Sequence, residues 1–307
     1  MLRFVLRRLL SAVPTIFIVV SISFFLIRFA PGGPFNVERA LPPQIMANLM
    51  RAYQLDQPLG VQYLHYLWNV AHLDFGPSYI YRDFTVTQLI AQSLPYSLEL
   101  GSFALIIAVV GGVGVGVFAA LRQNSAVDYG LMSVATIGLT VPNFVVGPVL
   151  SLIFAVMLRW ASAGGWGNGT VRDLILPVIA LALPQLAIFA RLTRGSMIEA
   201  LRTDHVRTAR AYGLPPRVVV VVHALRAALL PVVTYLGPAA AAVLTGSVVI
   251  ETIFSIPGVG RYFVLGALNR DYTLVMGTVV LIAVFIIVFN LIVDLLYAYL
   301  DPRVRYD

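Results

Sequence analysis

Residues 207–231 read RTARAYGLPPRVVVVVHALRAALLP, and the two halves of that stretch obey different rules. The first carries Arg207 and Arg210 on a helix-forming run that Gly213-Leu214-Pro215-Pro216 breaks. The second holds Arg217, His223 and Arg226 and leads into a segment as apolar as a bilayer interior. A helix with that much charge is costly inside a membrane, and the segment that follows is costly outside one. The charged half therefore belongs at a membrane surface, between segments that cross.

The rest of the chain agrees. Of its 307 residues 59% are hydrophobic and 11% charged, and its mean hydropathy is +0.88. Soluble domains carry roughly 25% charged residues, so this is an integral membrane protein. Runs of about 20 apolar residues cross a hydrocarbon core of ~30 Å. Six such runs, at 9–28, 97–121, 130–158, 172–193, 227–250 and 274–300, predict an all-α protein with six transmembrane helices. The first follows Met-Leu-Arg-Phe-Val-Leu-Arg-Arg, like a signal peptide. Its apolar stretch, Leu9 to Ile27, exceeds the usual ~7–15 residues and no small-x-small site follows, so an uncleaved anchor is expected. The expected organisation is an anchor helix (1–28), an outer helical segment (29–96) and a transmembrane core (97–307).

Arginine placement gives the orientation. Six spans with the N-terminus inside put Arg3, Arg7, Arg8, Arg122, the seven arginines from 191 to 226, Arg303 and Arg305 in the cytoplasm. The short outer loops then hold only Arg159, Arg172, Arg261 and Arg270. Arg28, Arg39, Arg51 and Arg82 lie on or beside the long outer segment, where the positive-inside rule is weak. Both termini are expected in the cytoplasm.

Composition also removes function classes. The chain has no cysteine, hence no disulfide or thiolate metal site. All 21 basic residues are arginine; without lysine there is no P-loop and no Schiff base, so ATP would have to be bound by another chain. The net charge of +7 is dispersed among loops, which argues against a nucleic-acid surface. Gly114-Val-Gly116-Val-Phe-Ala119 imitates a dinucleotide fingerprint but sits inside an apolar run with no strand before it; Gly112 and Gly116 read instead as a helix-packing face. His65, His72, His205 and His223 lack ligand spacing. Glu99 and Glu251 fall near outer span ends, where they are expected to reach the interface, and Asp294 near an inner one, where pairing with an arginine is expected. Prolines 142, 148, 177 and 184 are expected to bend the middle spans.

In the outer segment, Pro42 and Pro43 open a run with Ile45, Met46, Leu49, Met50 and Tyr53 on one face. Pro58 opens another with Val61, Leu64, Leu67, Trp68 and Ala71 at helical spacing. That stripe is expected to pack on the protein's own membrane helices, or on a second subunit or docking protein. Thr85-Val-Thr-Gln88 fits a capping box leading into the second span.

Local signals around 196–231 are dense. Ser196-Met-Ile-Glu199 fits a capping box, Thr203 or Asp204 fits an N-cap, Gly213 fits the left-handed position after a helix, and Pro215-Pro216 fits a new helix start. A short surface helix over 205–212 follows, kept slim by Ala209 and Ala211 so that another surface could approach.

These residues carry a resemblance. RTARAYG and the arginine-bracketed HALRAALLP resemble the cytoplasmic loop of permease subunits in bacterial ATP-binding-cassette importers, whose Glu-Ala-Ala-x-x-x-Gly helix sits in a groove of the ATPase. Aligned on Gly213, Arg207 replaces the Glu and Thr208 the first Ala, while Ala209 fits. The usual Ile-x-Leu-Pro tail is displaced to end at Pro231. FVLRRLLSAVPTIFIVVSISFFLIRFAPGGPF (4–35), LDFGPS (73–78), RLTRGSMIEALRTDHVRTARAYGLP (191–215), VIETIFSIPGVGRYFVLGALNRDY (249–272) and DLLYAYLDPRVRY (294–306) extend it over essentially the whole chain. Together they are similar to the B-type membrane subunit of oligopeptide permeases.

The resemblance implies a type I importer fold in the bacterial inner membrane, with a small helical periplasmic segment between helices 1 and 2. It implies oligopeptide import beside a homologous C-type permease, two ATP-binding subunits that hold ATP and magnesium, and a periplasmic peptide-binding protein. The docking helix would comprise His205, Val206, Arg207, Thr208, Ala209, Arg210, Ala211, Tyr212 and Gly213. Dipeptides or nickel are the alternatives within the family. An ion-coupled secondary transporter would want ionisable groups at mid-membrane and usually an internal repeat, and neither is seen. A membrane enzyme would need a catalytic constellation, and the sequence offers none.

Overall fold

The computed structural model describes residues 2–29, 43–52, 54–81 and 83–300. Among them the secondary structure is helical apart from one isolated antiparallel bridge, Pro77 with Thr85. In order run α1 (Leu2–Phe29), α2 (Pro43–Ala52), α3 (Leu59–Ala71), α4 (Val86–Leu121), α5 (Ala126–Thr140) and α6 (Asn143–Leu150). A π-helical turn, Ser151–Met157, extends α6. Then come α7 (Val171–Ala200), α8 (Asp204–Ala211), α9 (Pro216–Val218), a second π-helical turn (Val219–Ala224) and α10 (Leu225–Ala228). The last are α11 (Leu230–Ile253), α12 (Val259–Leu268) and α13 (Tyr272–Leu300).

Five described helices are long and apolar enough to cross a membrane: Leu10–Phe29 of α1, α4, α7, α11 and Tyr272–Val293 of α13. The expected third span, 130–158, is not one straight helix. It is α5 and α6 with its π-turn, meeting at 105°, and counting the pair as one span gives six. The cause is Pro142, which has no N–H to donate and drives Val141 out of the helical region to ψ 122. Pro148, by contrast, lies within α6, and Pro177 and Pro184 lie within α7 without ending it.

The chain divides into two compact units, Met1–Tyr96 with Gly258–Ile287, and Ser97–Pro257 with Val288–Asp307. In the first, α3 lies against α1 through aromatic rings. Tyr66 stacks on Phe24 at 5.5 Å, Tyr63 sits 5.1 Å from Phe25, and the Tyr63 hydroxyl is 2.6 Å from Ser21 Oγ. The tyrosines, not the expected stripe, therefore make this contact: Leu64 and Trp68 remain 64% and 68% exposed. Ile45, Leu49 and Tyr53 lie outside the described side chains.

The loop before α4 is pinned by Asp271, which is fully buried at the start of α13. Its carboxylate accepts hydrogen bonds from Ser78 Oγ, from the N–H groups of Tyr79 (3.1 Å) and Leu274 (3.1 Å), and from Thr273 Oγ1 (2.9 Å). Two distant stretches, LDFGPS and the end of VIETIFSIPGVGRYFVLGALNRDY, are thereby joined. Thr85 and Gln88 form the expected capping box, the Gln88 N–H donating to Thr85 Oγ1 and the Thr85 N–H to Gln88 Oε1.

In the second unit α7 is the hub, packed by α5, α6, α10 and α11. Gly112 and Gly116 let α4 come into contact with its backbone. A Cβ on Gly112 would stand 2.8 Å from Leu186 O, and one on Gly116 2.5 Å from Ala190 O. Glu251, expected at the interface, is instead wholly buried near the end of α11, whereas Glu99 is exposed. The side chain of Asp294 lies outside those described.

Candidate coupling site

The local signals around 196–231 divide into those that shape the chain and one that does not. Ser196 and Glu199 do not begin a helix. Thr193, Met197 and Ala200 are buried at successive turns and carry α7 straight through, so core packing outweighs the local cap signal. Thr203 holds the N-cap position of α8 with extended backbone (φ −70, ψ 153). Its hydroxyl turns back to donate to Ala200 O at 2.6 Å rather than capping α8.

The far end of α8 is a complete Schellman motif. The Gly213 N–H donates to Arg210 O at 2.9 Å and the Leu214 N–H to Ala209 O at 3.4 Å, with Gly213 at φ +73. Pro215 then caps α9 and Pro216 takes its first position, where a missing N–H costs nothing. From Pro216 the chain stays helical, with one irregular turn, to Ile253.

The helix has an inner and an outer face. Val206 (0% exposed) and Ala209 (5%) sit in an apolar cluster with Ala120, Met197, Ala200, Val219, Ala224 and Ala228. Ala209 is thus small because its own chain lies against it, which corrects its expected outward role. At about 100° per residue, Arg207, Thr208 and Ala211 lie on the opposite side, and all three are exposed. His205, Arg210, Tyr212 and Gly213 are exposed too, Tyr212 to 81%. Arg207 reaches Asp204 at 3.4 Å with both side chains in the open, a contact worth little. The Thr208 hydroxyl donates to Asp204 O at 2.9 Å, and His205 Nε2 lies 3.4 Å from His223 O. The outer face offers the Arg207 guanidinium and the Thr208 hydroxyl around the small Ala211, with Arg210 and Tyr212 exposed at its edges. It holds no catalytic constellation.

One neighbouring feature escaped the sequence reading. Asp128, wholly buried near the start of α5, accepts two hydrogen bonds from Arg194 of α7, from Nε at 2.6 Å and Nη2 at 2.7 Å. Asn124 N–H donates to the same carboxylate at 2.9 Å, and Ser125 Oγ accepts from Asp128 N–H at 3.3 Å. Ser125-Ala-Val-Asp128 was the available signal, a helix start whose fourth residue is acidic. The fork of Arg194 makes the pair bidentate and fixes α5 to the helix that leads into α8.

Among the described residues no group of His, Asp or Glu could hold a metal ion.

Sequence comparison places this geometry in context. Residues 112–306 match the family described as binding-protein-dependent transport system inner membrane component, and residues 1–101 match its N-terminal companion. The chain is 52% identical over 306 residues to the oligopeptide transport system permease protein OppB of Escherichia coli and to that of Salmonella typhimurium, with 100% of each chain covered. It is 44% identical to the dipeptide transport system permease protein DppB of Bacillus subtilis, over 99% of this chain and 98% of that one. Among solved structures, the crystal structure of an amino acid ABC transporter with histidines matches with TM-score 0.50 at 19% identity, covering 71% of this chain and 95% of that one, a likeness of fold alone. With both family regions matched, the chain belongs to the inner-membrane components of binding-protein-dependent transport systems.

Proposed function

We propose that this chain is the B-type permease subunit of an ATP-driven importer that moves oligopeptides into the cytoplasm, and that α8 is where the ATPase docks. The observation that carries the docking reading is the two-sided build of α8. Val206 and Ala209 anchor it to its own chain, while Arg207, Thr208 and Ala211 face outward with no partner in the chain's core. A push on that outer face would pass into the cluster under α8 and along the helical run from Pro216.

In this reading a homologous C-type permease completes the pathway, two ATP-binding subunits dock beneath with ATP and magnesium, and a peptide-binding protein delivers substrate from the periplasm. In the same reading both termini lie in the cytoplasm, which the arginine distribution supports. Exposed apolar side chains such as Phe17, Ile106 and Val110 suit lipid or the second permease.

The test is uptake of a labelled tripeptide by vesicles holding the complete complex. ATP should drive it and a proton ionophore should leave it unchanged. Transport of nickel or of dipeptides alone would replace the oligopeptide reading with the corresponding family alternative.

A further inference from the structure

The first unit contains a cavity of about 190 Å³ that belongs to none of the coupling machinery. It lies where the end of α1, one side of α3, the 74–79 loop and the start of α13 meet. Drug-sized ligands occupy roughly 300–1,000 Å³, so this one suits a smaller guest.

Its walls carry polar atoms that the protein leaves unpaired. Arg28 Nε, Gln62 Oε1 and Tyr66 Oη are all buried without a hydrogen-bond partner. Buried polar groups are normally satisfied, and three orphans lining one cavity call for an explanation. Each is held in place. The Arg28 guanidinium lies 5.3 Å over the ring of Phe24, on which Tyr66 also stacks. Gln62 Nε2 donates to Leu55 O (3.2 Å) and Gln57 O (2.7 Å), which fixes its amide so that Oε1 is the atom left over. Burial also pushes the Tyr66 phenol up from its ordinary range, keeping it a neutral donor.

The set is complementary within itself. Arg28 and Tyr66 donate, which suits a carboxylate. Gln62 Oε1 accepts, and Asp74, whose other role is to accept from Gly76 N–H at 2.9 Å, brings a carboxylate to the same cavity. Donors with a fixed cation and acceptors with an anion match a small zwitterion. We propose that this cavity binds an α-amino carboxylate, either a free amino acid or a short peptide with both ends unblocked, through Arg28 and Tyr66 at the carboxylate and Gln62 and Asp74 at the ammonium. That peptides are the natural source rests on the oligopeptide reading above; the site itself does not.

Equilibrium dialysis of labelled L-alanyl-L-alanine against the complete complex in nanodiscs, without binding protein or ATP, tests this. Saturable binding is expected. Arg28→Gln and Tyr66→Phe should each weaken it about tenfold or more, as expected for a hydrogen bond to a charged group. Tyr66→Phe removes a buried hydroxyl that has no partner, so it should not lower the melting temperature, which separates lost binding from lost folding. Alanyl-alanine amide and N-acetyl-alanyl-alanine should each compete about tenfold less well than the parent dipeptide. O-Phosphoethanolamine serves as the lipid-headgroup arm. If it binds saturably and dialanine does not, the occupant is a lipid headgroup and the amino-acid assignment is overturned. The assignment also falls if the parental complex binds neither probe, leaving hydration as the cavity's use, or if both variants bind dialanine like the parent. ATP-driven tripeptide uptake by the same preparations keeps the two readings apart: intact uptake with no binding removes the site alone, and binding without peptide uptake removes the transport reading alone.

Discussion

Gly213 and Gly116 are both glycine for opposite reasons. At Gly213 a Cβ would meet nothing within 4 Å, but φ is +73. The constraint is therefore the backbone, and a β-branched residue there costs on the order of 1–3 kcal/mol. Gly213→Val should loosen the end of α8, with less ATPase co-purifying and slower uptake. Gly213→Asn, which tolerates the left-handed region, should keep most of both. At Gly116 the backbone is ordinary, and a side chain would be driven into Ala190 O and Thr193. Gly116→Val should cost about 1–3 kcal/mol by overpacking, seen as a lower melting temperature in detergent. Ala209 teaches the same lesson from a third side. Because it is buried in its own chain, Ala209→Asp should reduce the amount of folded permease in the membrane, an outcome that immunoblotting of washed membranes would report.

Among the elements, α8 was legible and its surroundings were only partly so. Gly213, Pro215 and Pro216 announce a short, bounded helix because each acts through local backbone chemistry, and Arg207 and Arg210 mark it as charged. The side facing inward was not legible, since it depends on Met197 and Val219, which arrive from other helices. The same holds for α7: Ser196 and Glu199 promise a start, but a buried stripe through Thr193, Met197 and Ala200 overrides them. On α3 the helical period was right, and the face that meets α1 is the tyrosine face. Tyr63 and Tyr66 pack on α1 where Leu64 and Trp68 were expected, because an aromatic with a hydroxyl can both stack on Phe24 and Phe25 and bond Ser21. Asp128–Arg194 went unread because a pairing across 66 residues leaves no local pattern beyond the capping sequence. Replacing either partner by Leu should destabilise the fold by on the order of 3 kcal/mol. Replacing both should cost clearly less than the two single changes together, as a double-mutant cycle on thermal unfolding would measure.

For the whole molecule, composition and arginine placement give the membrane class and predict the orientation, while the broken third span needed coordinates to be seen. Pro142 predicts a bend, and the 105° angle it opens between α5 and α6 is read only from the structure, where both halves pack on α7. Orientation is tested in a chain that has no native cysteine. A cysteine at Gln57 should react with an impermeant maleimide in spheroplasts, and one at Pro216 only after permeabilisation. The central claim, that the outer face of α8 transmits the ATPase stroke, is tested most directly by Ala211→Trp, which adds bulk to that face and nothing to the core beneath it. The account predicts parental amounts of permease in the membrane, with ATP-driven tripeptide uptake in reconstituted vesicles lowered at least about tenfold, corresponding to ~1.4 kcal/mol lost at the interface. Uptake at the parental rate with the tryptophan in place would contradict it.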